Sequence, residues 1–416
     1  MKRFALIAGT VAGNRGAEAM LETSVGRLRD REPDAEFVVY SYLPESDRAL
    51  ITDPAIVVHS CTPAQLVLVL FPLSLVLAAL SAIGLRRAGA GIMPASVRDL
   101  AACDALIDLA GVSFIDGREK FLPFNLLTLW PAMLLGVPVF KLSQAMGPFS
   151  HALTRMASRT LWHCRMVVPR GAGTLEHLRA ASFPLELTYP APDIAFGFEV
   201  RDALSLEGTD EAAAIIERAE AARRGGATIV GLCPSSVIAG KAAKEGWDYI
   251  GFLAEVTSGL LTDGASVVLF PNATRASSAK LRNNDLPVIA QVIERVADTT
   301  GRLLAVRGDM AAAPIRLVVE ACDVVAVSRF HAMVGALSAC VPVAVMGWSH
   351  KYAEVMQQFG LEEWVYDYSA RDAIAFVARV QELLGQRQEL AEQIGRALPE
   401  VQGASVAQFD ELLRRL

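Results

Sequence analysis

The sequence predicts an α/β protein with two doubly wound domains, each built on a parallel sheet between layers of helices. Three observations lead to this prediction. Short apolar runs alternate with longer amphipathic segments along the chain, which is the pattern of βα units. Many of the runs are apolar at nearly every position, as expected for strands with both faces buried. The chain also has 416 residues, which exceeds what one hydrophobic core usually covers.

The candidate strands are apolar runs that fall into two series. The first series is 3–9, 36–42, 55–59, 104–109, 137–142 and 165–169, and the second is 228–233, 266–270, 302–306, 323–327 and 341–346. A charged, glycine-terminated stretch separates them. The sequence therefore predicts a first domain over 1–197, a linker region over 198–226 and a second domain over 227–416. The end of the chain is rich in Glu, Gln, Arg and Leu and is predicted to be helical.

The composition excludes several classes of protein. Hydrophobic residues make up 53% of the chain and charged residues 20%, which leaves little room for disorder. The net charge of -6 gives no overall basic field, so no nucleic acid partner is expected and any anion site must be local. The six cysteines are scattered without a CxxC pair, which indicates reduced thiols in a cytoplasmic protein. The apolar stretch after Met1-Lys2-Arg3 is too short for a signal peptide.

A long apolar segment over 62–85, TPAQLVLVLFPLSLVLAALSAIGL, contains no charged residue and is followed by Arg86 and Arg87. Its hydropathy is that of a transmembrane candidate. A crossing, however, would put strands of one sheet on opposite sides of a bilayer, and Pro72 would kink a helix here. Two alternatives remain: a helix or helical hairpin buried in the core, or an apolar element resting in the cytoplasmic leaflet with its arginines toward anionic head groups. The second alternative is a peripheral membrane contact through 62–87.

Polar residues follow several predicted strands of the first domain, at the edge where ligands of parallel sheets usually bind. The first strand leads into a glycine-rich turn that carries Asn14 and Arg15 and opens a helix containing Glu18. Such a turn lets a ligand approach the backbone, and a helix N-terminus favours an anion. The alternative is an ordinary βα turn in which Glu18 only complements the helix dipole. Similar signals are the segments 108–116, which ends in Asp116, and 144–149, then Arg170, and Asp193 shortly before the linker.

The most specific pattern is SRFHAMVGALSACVPVAVMGWSHKY at 328–352, where Arg329, His331 and Lys351 interrupt an apolar strand, helix and strand. The ends of two strands joined by a βαβ crossover lie at one edge of a sheet, so the three cations are expected to converge. No carboxylate lies within the stretch 328–352, so the cluster predicts an anion site. The alternative is that they are ordinary surface cations at loop ends.

Taken together, these motifs resemble the polysaccharide pyruvyl transferase family. The residues that carry the resemblance are Asn14-x-Gly16-x-Glu18-Ala19, Gly147-Pro148-Phe149, Arg170, Pro192-Asp193-x-x-Phe196, Arg329-x-His331-Ala332 and Lys351. The resemblance implies two Rossmann-like domains in a GT-B-like architecture. It also implies transfer of the pyruvyl group of phosphoenolpyruvate to two hydroxyls of a sugar, giving a cyclic ketal. The sequence departs from the family pattern at Ala17, 111–113 and 171–174, which bears on the acceptor side.

The resemblance and the chemistry of phosphoenolpyruvate together suggest roles for these residues. Guanidinium groups bind paired oxyanions with two-pronged geometry, so Arg329, Lys351 and Arg170 are expected to hold the donor. His331, beside bound anions, is the candidate general acid. Glu18 or Asp116 is the candidate base for the acceptor hydroxyl. No metal-ligand set stands out in the sequence, so neither an obligatory metal nor a cofactor besides the donor substrate is expected.

Two other functions remain open at this stage. One is a GT-B glycosyltransferase that uses a nucleotide sugar, with the same cations on a diphosphate and a carboxylate such as Glu354, Glu362 or Glu363 on the ribose. The other is a non-catalytic scaffold of envelope-polymer assembly, which the changes near Ala17 and 111–113 would suit. An acceptor linked to a polyprenyl lipid would explain the apolar segment, since enzyme and sugar would then share one membrane surface.

Overall fold

The computed structural model describes residues 1–275, 283–296, 298, 300–347 and 350–416. It divides the chain into two compact units. The N-terminal unit comprises Met1–Val11, Ala17–Phe198 and Gly403–Leu416, and the C-terminal unit comprises Ala12–Gly16 and Glu199–Gln402. Segment 12–16 is near the start of the sequence but belongs to the C-terminal unit. Segment 403–416 is at the end of the sequence but belongs to the N-terminal unit.

The N-terminal unit contains a parallel sheet of six strands. These are β1 (Arg3–Ile7), β2 (Glu36–Ser41), β3 (Ile56–Ser60), β4 (Ala105–Asp108), β5 (Val139–Gln144) and β6 (Met166–Pro169), in the spatial order β3-β2-β1-β4-β5-β6. Every position of β4, β5 and β6 is buried, because helices cover both faces of a doubly wound sheet. In the register, Phe4 of β1 lies between Phe37 of β2 and Ala105 of β4.

The helices of the N-terminal unit lie between these strands. They are Arg15–Arg31, Pro44–Leu50, Pro63–Gln65, Phe71–Ala82, Arg86–Ile92, Ala95–Ala101, Leu122–Leu127, Trp130–Leu134, Ala152–Ser158 and Ala172–Ala180. The first of them follows the dipole rule, with Glu18 in its first turn and Arg29 and Arg31 in its last turn. The end of the last helix of the chain also packs on this unit, where Ser405 Oγ donates to the carbonyl of Asp193 at 2.7 Å.

The C-terminal unit repeats the same topology. Its strands are β7 (Ile229–Cys233), β8 (Ser266–Leu269), β9 (Leu303–Ala305), β10 (Val324–Val327), β11 (Val343–Gly347) and β12 (Val365–Asp367), in the spatial order β12-β11-β10-β7-β8-β9. In each sheet the first and fourth strands in sequence are neighbours, and the winding reverses between them. This reversal opens a crevice at the carboxyl ends of the strands, where ligands of such sheets bind.

The helices of the C-terminal unit have clear start signals in the sequence. They are Thr209–Arg224, Ser236–Glu245, Tyr249–Thr262, Leu286–Arg295, Ala312–Glu320, Phe330–Ser338, His350–Gln357, Ala373–Gly385 and Arg387–Arg415, the last of which ends in the N-terminal unit. Ser235, Asp248 and Asp372 each precede a helix and accept backbone N–H groups of its first turn.

The predicted fold class is confirmed: both units are doubly wound α/β domains, and each predicted strand is present within two residues of its expected bounds. The sequence missed β12, since VYD is short and partly exposed and so lacks the apolar signal. The predicted linker region contains a full helix, Thr209–Arg224. Trp348 and Ser349 of the most specific motif lie outside the described residues.

The apolar segment 62–85 forms the long arm of a helical hairpin. Helical structure runs from Pro63 to Ala82, with a π-helical turn over Leu66–Leu70 before Pro72, so the chain passes the proline without a break. By length and composition this helix could cross a membrane, with a mean hydropathy of 2.3 over its most apolar window and only 22% of that window buried. The chain reaches it from β3 and goes on to β4 in the same sheet.

The hairpin closes through a glycine turn. Gly84 has a positive φ of 80°, the N–H of Leu85 donates to the carbonyl of Leu80, and the short helix Arg86–Ile92 then returns along the long arm. Gly89 permits this packing, because a Cβ there would lie about 3 Å from the side chains of Leu77 and Leu80. The inner side of the hairpin joins the hydrophobic core of the N-terminal unit.

A buried ion pair joins two central strands of the N-terminal unit. Lys141 of β5 bonds to Asp108 of β4, and both side chains are at most 2% exposed. Asp108 also accepts the N–H of Ala110, at 2.9 Å. Two charges taken out of water are stable only when paired, so removal of one partner leaves the other uncompensated.

Lys141→Met should therefore lower the free energy of unfolding by about 3–5 kcal/mol. Urea denaturation followed by circular dichroism measures this change. Lys120→Met, at an exposed lysine of the same unit, is the matched control and should change stability by less than about 0.5 kcal/mol. Equal effects of the two substitutions would contradict the role given to the pair.

Candidate functional site

A single buried carboxylate organises the strand ends of the C-terminal unit. Asp285 is fully buried and accepts the backbone N–H of Ser236 at 2.8 Å, of Asn272 at 3.2 Å and of Ala273 at 2.9 Å. These donors follow β7 and β8. The fourth partner is Arg329, which follows β10. Asp285 thus ties together the ends of three strands beside the crevice of this sheet.

Arg329 is paired with this carboxylate, which corrects the sequence expectation of a cation without a carboxylate partner. Its Nε donates to Asp285 at 3.0 and 3.2 Å, and its Nη2 donates to Asp285 and, at 2.9 Å, to Ser236 Oγ. The side chain is 13% exposed. Burial by itself would lower the pKa of Arg329, but the charge and hydrogen bonds of Asp285 outweigh this and hold the pKa above its ordinary value. The guanidinium is therefore charged and fixed in orientation.

His331 lies two residues after Arg329, in the first turn of the helix Phe330–Ser338. Its imidazole covers Gly16, so closely that a Cβ at Gly16 would overlap the ring. The ring of Phe330 stands edge-on to it, with 5.1 Å between ring centroids. The position of His331 therefore requires a residue without a Cβ at Gly16 of the Asn14-x-Gly16 motif. The two residues are far apart in the sequence.

Asn14 and Arg15 belong to this same cluster of the C-terminal unit. Asn14 forms an antiparallel bridge with Ala273, and the N–H of Arg15 donates to the carbonyl of Asn272 at 3.0 Å. The guanidinium of Arg15 is buried and donates to the carbonyl of Met310 at 2.6 Å. These contacts anchor the glycine-rich turn. A role of Asn14 or Arg15 in binding substrate stays a prediction.

Lys351 follows β11, and the structure brings it to the same group of side chains. Its Nζ lies 5.0 Å from the ring centroid of Phe330 and 5.2 Å from that of Tyr352, within the range of cation–π attraction. β10 and β11 are neighbours in the sheet, as the crossover rule predicts. Arg329, His331 and Lys351 are thus grouped around Phe330, although the charge of Arg329 is balanced by Asp285.

In the N-terminal unit, Arg170 is also paired. It follows β6, is buried, and bonds to Asp193, the acid that the sequence marks before the linker. Asp193 accepts in addition the N–H of Ala195 at 2.9 Å, which starts the turn that ends in Gly197. Arg170 therefore orients the segment around Asp193, and its expected contact with the donor stays a prediction.

The two candidate bases of the N-terminal unit have different surroundings. Glu18 is fully buried in the first turn of its helix. Asp116 is only half-buried, and its Oδ2 accepts the N–H groups of Ser150 at 2.8 Å and His151 at 3.2 Å. Partial burial would raise the pKa of Asp116, but these hydrogen bonds and the nearby His151 hold it below its ordinary value. Asp116 is consequently a weak base.

Asp116 also stands beside Glu119 and His151, and one ligand atom from each residue lies within 4.8 Å of the others. His151 Nδ1 and Glu119 Oε1 are 2.6 Å apart. The hydrogen bond to Glu119 raises the pKa of His151, and the same bond lowers the pKa of Glu119 to about 2. A carboxylate–imidazolium pair accounts for this arrangement without a metal, and the expectation of no obligatory metal stays a prediction.

Sequence reasoning missed three residues of these networks: Asp285, Ser236 and Lys141. Asp285 stands directly before the helix Leu286–Arg295, where an acidic residue is an ordinary helix start. Ser236 belongs to the Pro-Ser-Ser segment after β7, which is a strand-end signal of the same kind as the others. Lys141 could have been found as a charged residue inside an apolar run.

Two Rossmann-like, doubly wound α/β domains in one chain are the architecture of the GT-B class of folds. The family model of polysaccharide pyruvyl transferases matches residues 14–228, which is just over half of the chain. The protein therefore belongs to the polysaccharide pyruvyl transferase family. The matched range includes Asn14, Glu18, Asp116 and Arg170, while the cluster around Arg329 lies beyond it.

A curated relative supports this assignment over nearly the full length. The chain is 21% identical to the amylovoran biosynthesis protein AmsJ of Erwinia amylovora, over 95% of both proteins. Among solved structures, Alr3699/HepE of Anabaena in complex with UDP-glucose matches over 100% of both chains, with a TM-score of 0.57 and 14% identity. The UDP-GlcNAc 2-epimerase of Neisseria meningitidis matches over 100% of both chains, with a TM-score of 0.57 and 11% identity. At such low identity these structures show the shared fold alone.

The packing of His331 on Gly16 gives a direct test of the site geometry. Gly16→Ala should destabilise the protein by about 1–3 kcal/mol, because the added methyl group displaces the imidazole. Thermal unfolding measures the effect. Gly240→Ala, at a helical glycine with open space around it, is the matched control and should be neutral or stabilising by up to about 1 kcal/mol. The double variant Gly16→Ala/His331→Ala should recover most of the loss, and a failure to recover would contradict the proposed overlap.

The pair of His151 and Glu119 predicts a defined pH window. His151 has a raised pKa, so its contribution to stability is present below about pH 6.5 and is lost as the pH rises through the folded-state pKa. Glu119 has a lowered pKa, so its contribution is present above about pH 4.5 and is lost as the pH falls toward 2. An NMR titration of the His151 ring should give a pKa above 6.5 that returns toward 6.5 in Glu119→Gln. Asp104→Asn, which changes a distant acid, is the control and should leave the pKa of His151 unchanged.

Proposed function

We propose that the protein transfers the pyruvyl group of phosphoenolpyruvate onto a sugar of a cell-envelope polysaccharide or of its lipid-linked precursor, forming a cyclic ketal. The observation that carries the proposal is the grouping of Arg329, His331 and Lys351 after β10 and β11, beside the crevice of the second sheet. Membership of the polysaccharide pyruvyl transferase family supports the class of reaction. The relative in amylovoran biosynthesis supports a polysaccharide as the class of product.

The donor carries a phosphate and a carboxylate close together, and the cluster offers complementary groups. The hydrogen bonds that join Arg329 to the described residues use its Nε and Nη2, which leaves Nη1 for an oxyanion of the donor. Asp285 holds the guanidinium of Arg329 in one orientation, and the ammonium group of Lys351 adds a second cation beside Phe330. The N-terminus of the helix Phe330–Ser338 adds partial positive charge at the same place.

The reaction then needs one acid and one base. His331 protonates the methylene carbon of phosphoenolpyruvate while the first sugar hydroxyl forms a bond to C2 and loses its proton to the base. The second hydroxyl next forms its bond to C2 as the C2–O bond to phosphate breaks. The phosphate keeps the electron pair of that bond, takes up the proton of the second hydroxyl and leaves as inorganic phosphate. Over both steps one C3–H bond and two C2–O bonds form, while the C2=C3 π bond and the C2–O bond to phosphate break, so a ketal and phosphate are the products.

Glu18 is the better candidate for the base. Its carboxylate is fully buried in the first turn of the helix Arg15–Arg31. The carboxylate of Asp116 already accepts two backbone N–H groups, which weakens it as a base. The proposal therefore gives Glu18 the acceptor proton and leaves Asp116 a positioning role for the loop that precedes Ser150.

The proposed place of the enzyme is the cytoplasm, at the inner face of the membrane. An acceptor on a lipid carrier would be presented there, and the apolar helix Pro63–Ala82 is largely exposed, as a peripheral contact requires. A nucleotide-sugar glycosyltransferase and a non-catalytic scaffold are the competing functions, and the binding experiment below separates them.

A thermal-shift titration with phosphoenolpyruvate, UDP and GDP tests the donor site. Saturating phosphoenolpyruvate should stabilise the protein by about 2.7 kcal/mol at a hundredfold excess over its dissociation constant, and the nucleotides should not. Lys351→Met should weaken this effect, whereas Lys244→Met, an exposed lysine of the same unit, is the control. Stabilisation by a nucleotide alone would favour glycosyl transfer, and no stabilisation by any of the three would favour a scaffold.

His331→Gln tests the acid. It should reduce turnover about 10²–10⁴-fold and leave the stabilisation by phosphoenolpyruvate in place, because proton transfer and donor binding are separate tasks. Phosphate release in the presence of an acceptor saccharide measures turnover. The matched control is His59→Gln, at a half-buried histidine of the other unit. Near-normal turnover of His331→Gln would contradict its assignment.

A further inference from the structure

The helix Pro63–Ala82 has an apolar face toward solvent. Its exposed large side chains include Leu68 at 72%, Leu75 at 50% and Val76 at 46%, and Ile83 follows at 69%. Their spacing of seven, eight and fifteen residues from Leu68 places them along one side of the helix. An ordinary surface helix puts polar residues on this side.

This helix lacks the polar outer face that the rule predicts, because it is apolar on both sides. The buried stripe is Leu66, Leu70, Ser74 and Leu77, so a serine faces the core while leucines and isoleucine face outward. The other serine of the helix, Ser81, donates its hydroxyl to the carbonyl of Leu77 at 2.7 Å and so adds little polarity to the surface. An outward face of this kind suits an apolar surrounding rather than water.

The first three charged residues after this helix in the sequence are arginines, and Asp99 follows them. The segment 62–98 contains Arg86, Arg87 and Arg98 and no acidic residue, and all three arginines are exposed. The segment 152–170 likewise contains arginines and no acidic residue. In a chain with a net charge of -6, such a cationic border is complementary to an anionic surface.

An open cavity of about 760 Å³ lies directly beside the same helix. Its walls include Phe71 and Leu75 of the helix, Trp130 and Met133, and its polar members are His163 and Arg165. The rings of Phe71 and Trp130 are in contact, with 5.8 Å between their centroids. Trp130 Nε1 in turn donates to Thr160 Oγ1 at 3.3 Å. Trp130 thus connects the helix Pro63–Ala82 to the segment that carries His163 and Arg165. The volume is that of a pocket for one ligand.

We infer that this surface docks on an anionic membrane leaflet and that the cavity takes the single hydrocarbon chain of a lipid phosphate, whose phosphate lies by Arg165 and His163. Leu68, Leu75, Val76 and Ile83 enter the leaflet, and Arg86 and Arg87 face its head groups. The inference deepens the proposed function, on which it rests in one respect: the bound lipid phosphate would be the carrier of the sugar acceptor.

Vesicle flotation of the full chain tests docking. Vesicles of phosphatidylcholine are compared with vesicles containing equal fractions of phosphatidylglycerol or of undecaprenyl phosphate. Binding should be strongest with undecaprenyl phosphate. Leu68→Glu should reduce it about tenfold or more, and Arg86→Gln and Arg87→Gln about fivefold each. Ile374→Glu, an 84% exposed isoleucine of the C-terminal unit, is the matched control and should leave binding unchanged.

Leu75→Trp tests the cavity separately, because it keeps the outer face apolar while narrowing the pocket. It should remove the preference for undecaprenyl phosphate over phosphatidylglycerol and retain binding to both. Equal binding of the wild type to the two anionic vesicles would overturn the chain site. Absence of vesicle binding, or conversion of a dimer to a monomer by Leu68→Glu in solution, would overturn the docking surface, the latter in favour of a second copy of the chain.

The thermal-shift titration with phosphoenolpyruvate is repeated on the same variants. Vesicle binding without any response to phosphoenolpyruvate would leave the lipid surface standing and contradict the pyruvyl donor site. The reverse result would contradict only the lipid surface. The two proposals can therefore fail independently.

Discussion

The arrangement of the candidate donor site depends on one buried carboxylate. Asp285 is surrounded by backbone N–H groups from the ends of β7 and β8 and by the guanidinium of Arg329 after β10. A charge at this depth is tolerated because several donors replace its hydration. The consequence is that Arg329 is held in one orientation before any ligand arrives, and binding then costs little ordering of that side chain. The second cation, Lys351, lies over the ring of Phe330.

The N-terminal unit follows the same principle with different residues. Lys141 is paired with Asp108 inside the sheet, and Arg170 is paired with Asp193 at its edge. Gln144 and Ser113 extend the first pair by hydrogen bonds to the carbonyl of Asp108 and to each other. Each of these three ion pairs, Asp285–Arg329, Asp108–Lys141 and Asp193–Arg170, thus places a charge together with its partner. Such fixed dipoles are the form of electrostatic stabilisation that needs no reorganisation during a reaction.

The helix Pro63–Ala82 exposes a face of large apolar side chains, which is unusual for a globular protein that is surrounded only by water. The inner half of the helix completes the core of the N-terminal unit, so the hairpin is a folded part of the domain. Its outer half exposes large aliphatic side chains beside a border of arginines. A surface that combines these two features has a physical reason to meet a bilayer, and it would bring a soluble donor and a membrane-bound acceptor to one enzyme.

The sequence by itself determined the fold class, the strand positions and the edge of the sheet at which the candidate site residues lie, because apolar periodicity and the crossover rule act locally or between consecutive elements. It also pointed to Arg329, His331 and Lys351. Only the tertiary structure decided their partners. Asp285 comes 44 residues before Arg329, and Gly16 lies under an imidazole more than three hundred residues away. Such pairings depend on how strands are ordered in a sheet and on which loops meet, and no local pattern records them. The same holds for the apolar helix: its composition left a core helix and a membrane contact equally open, and only the packing of the unit decided which side of it is buried and which is exposed.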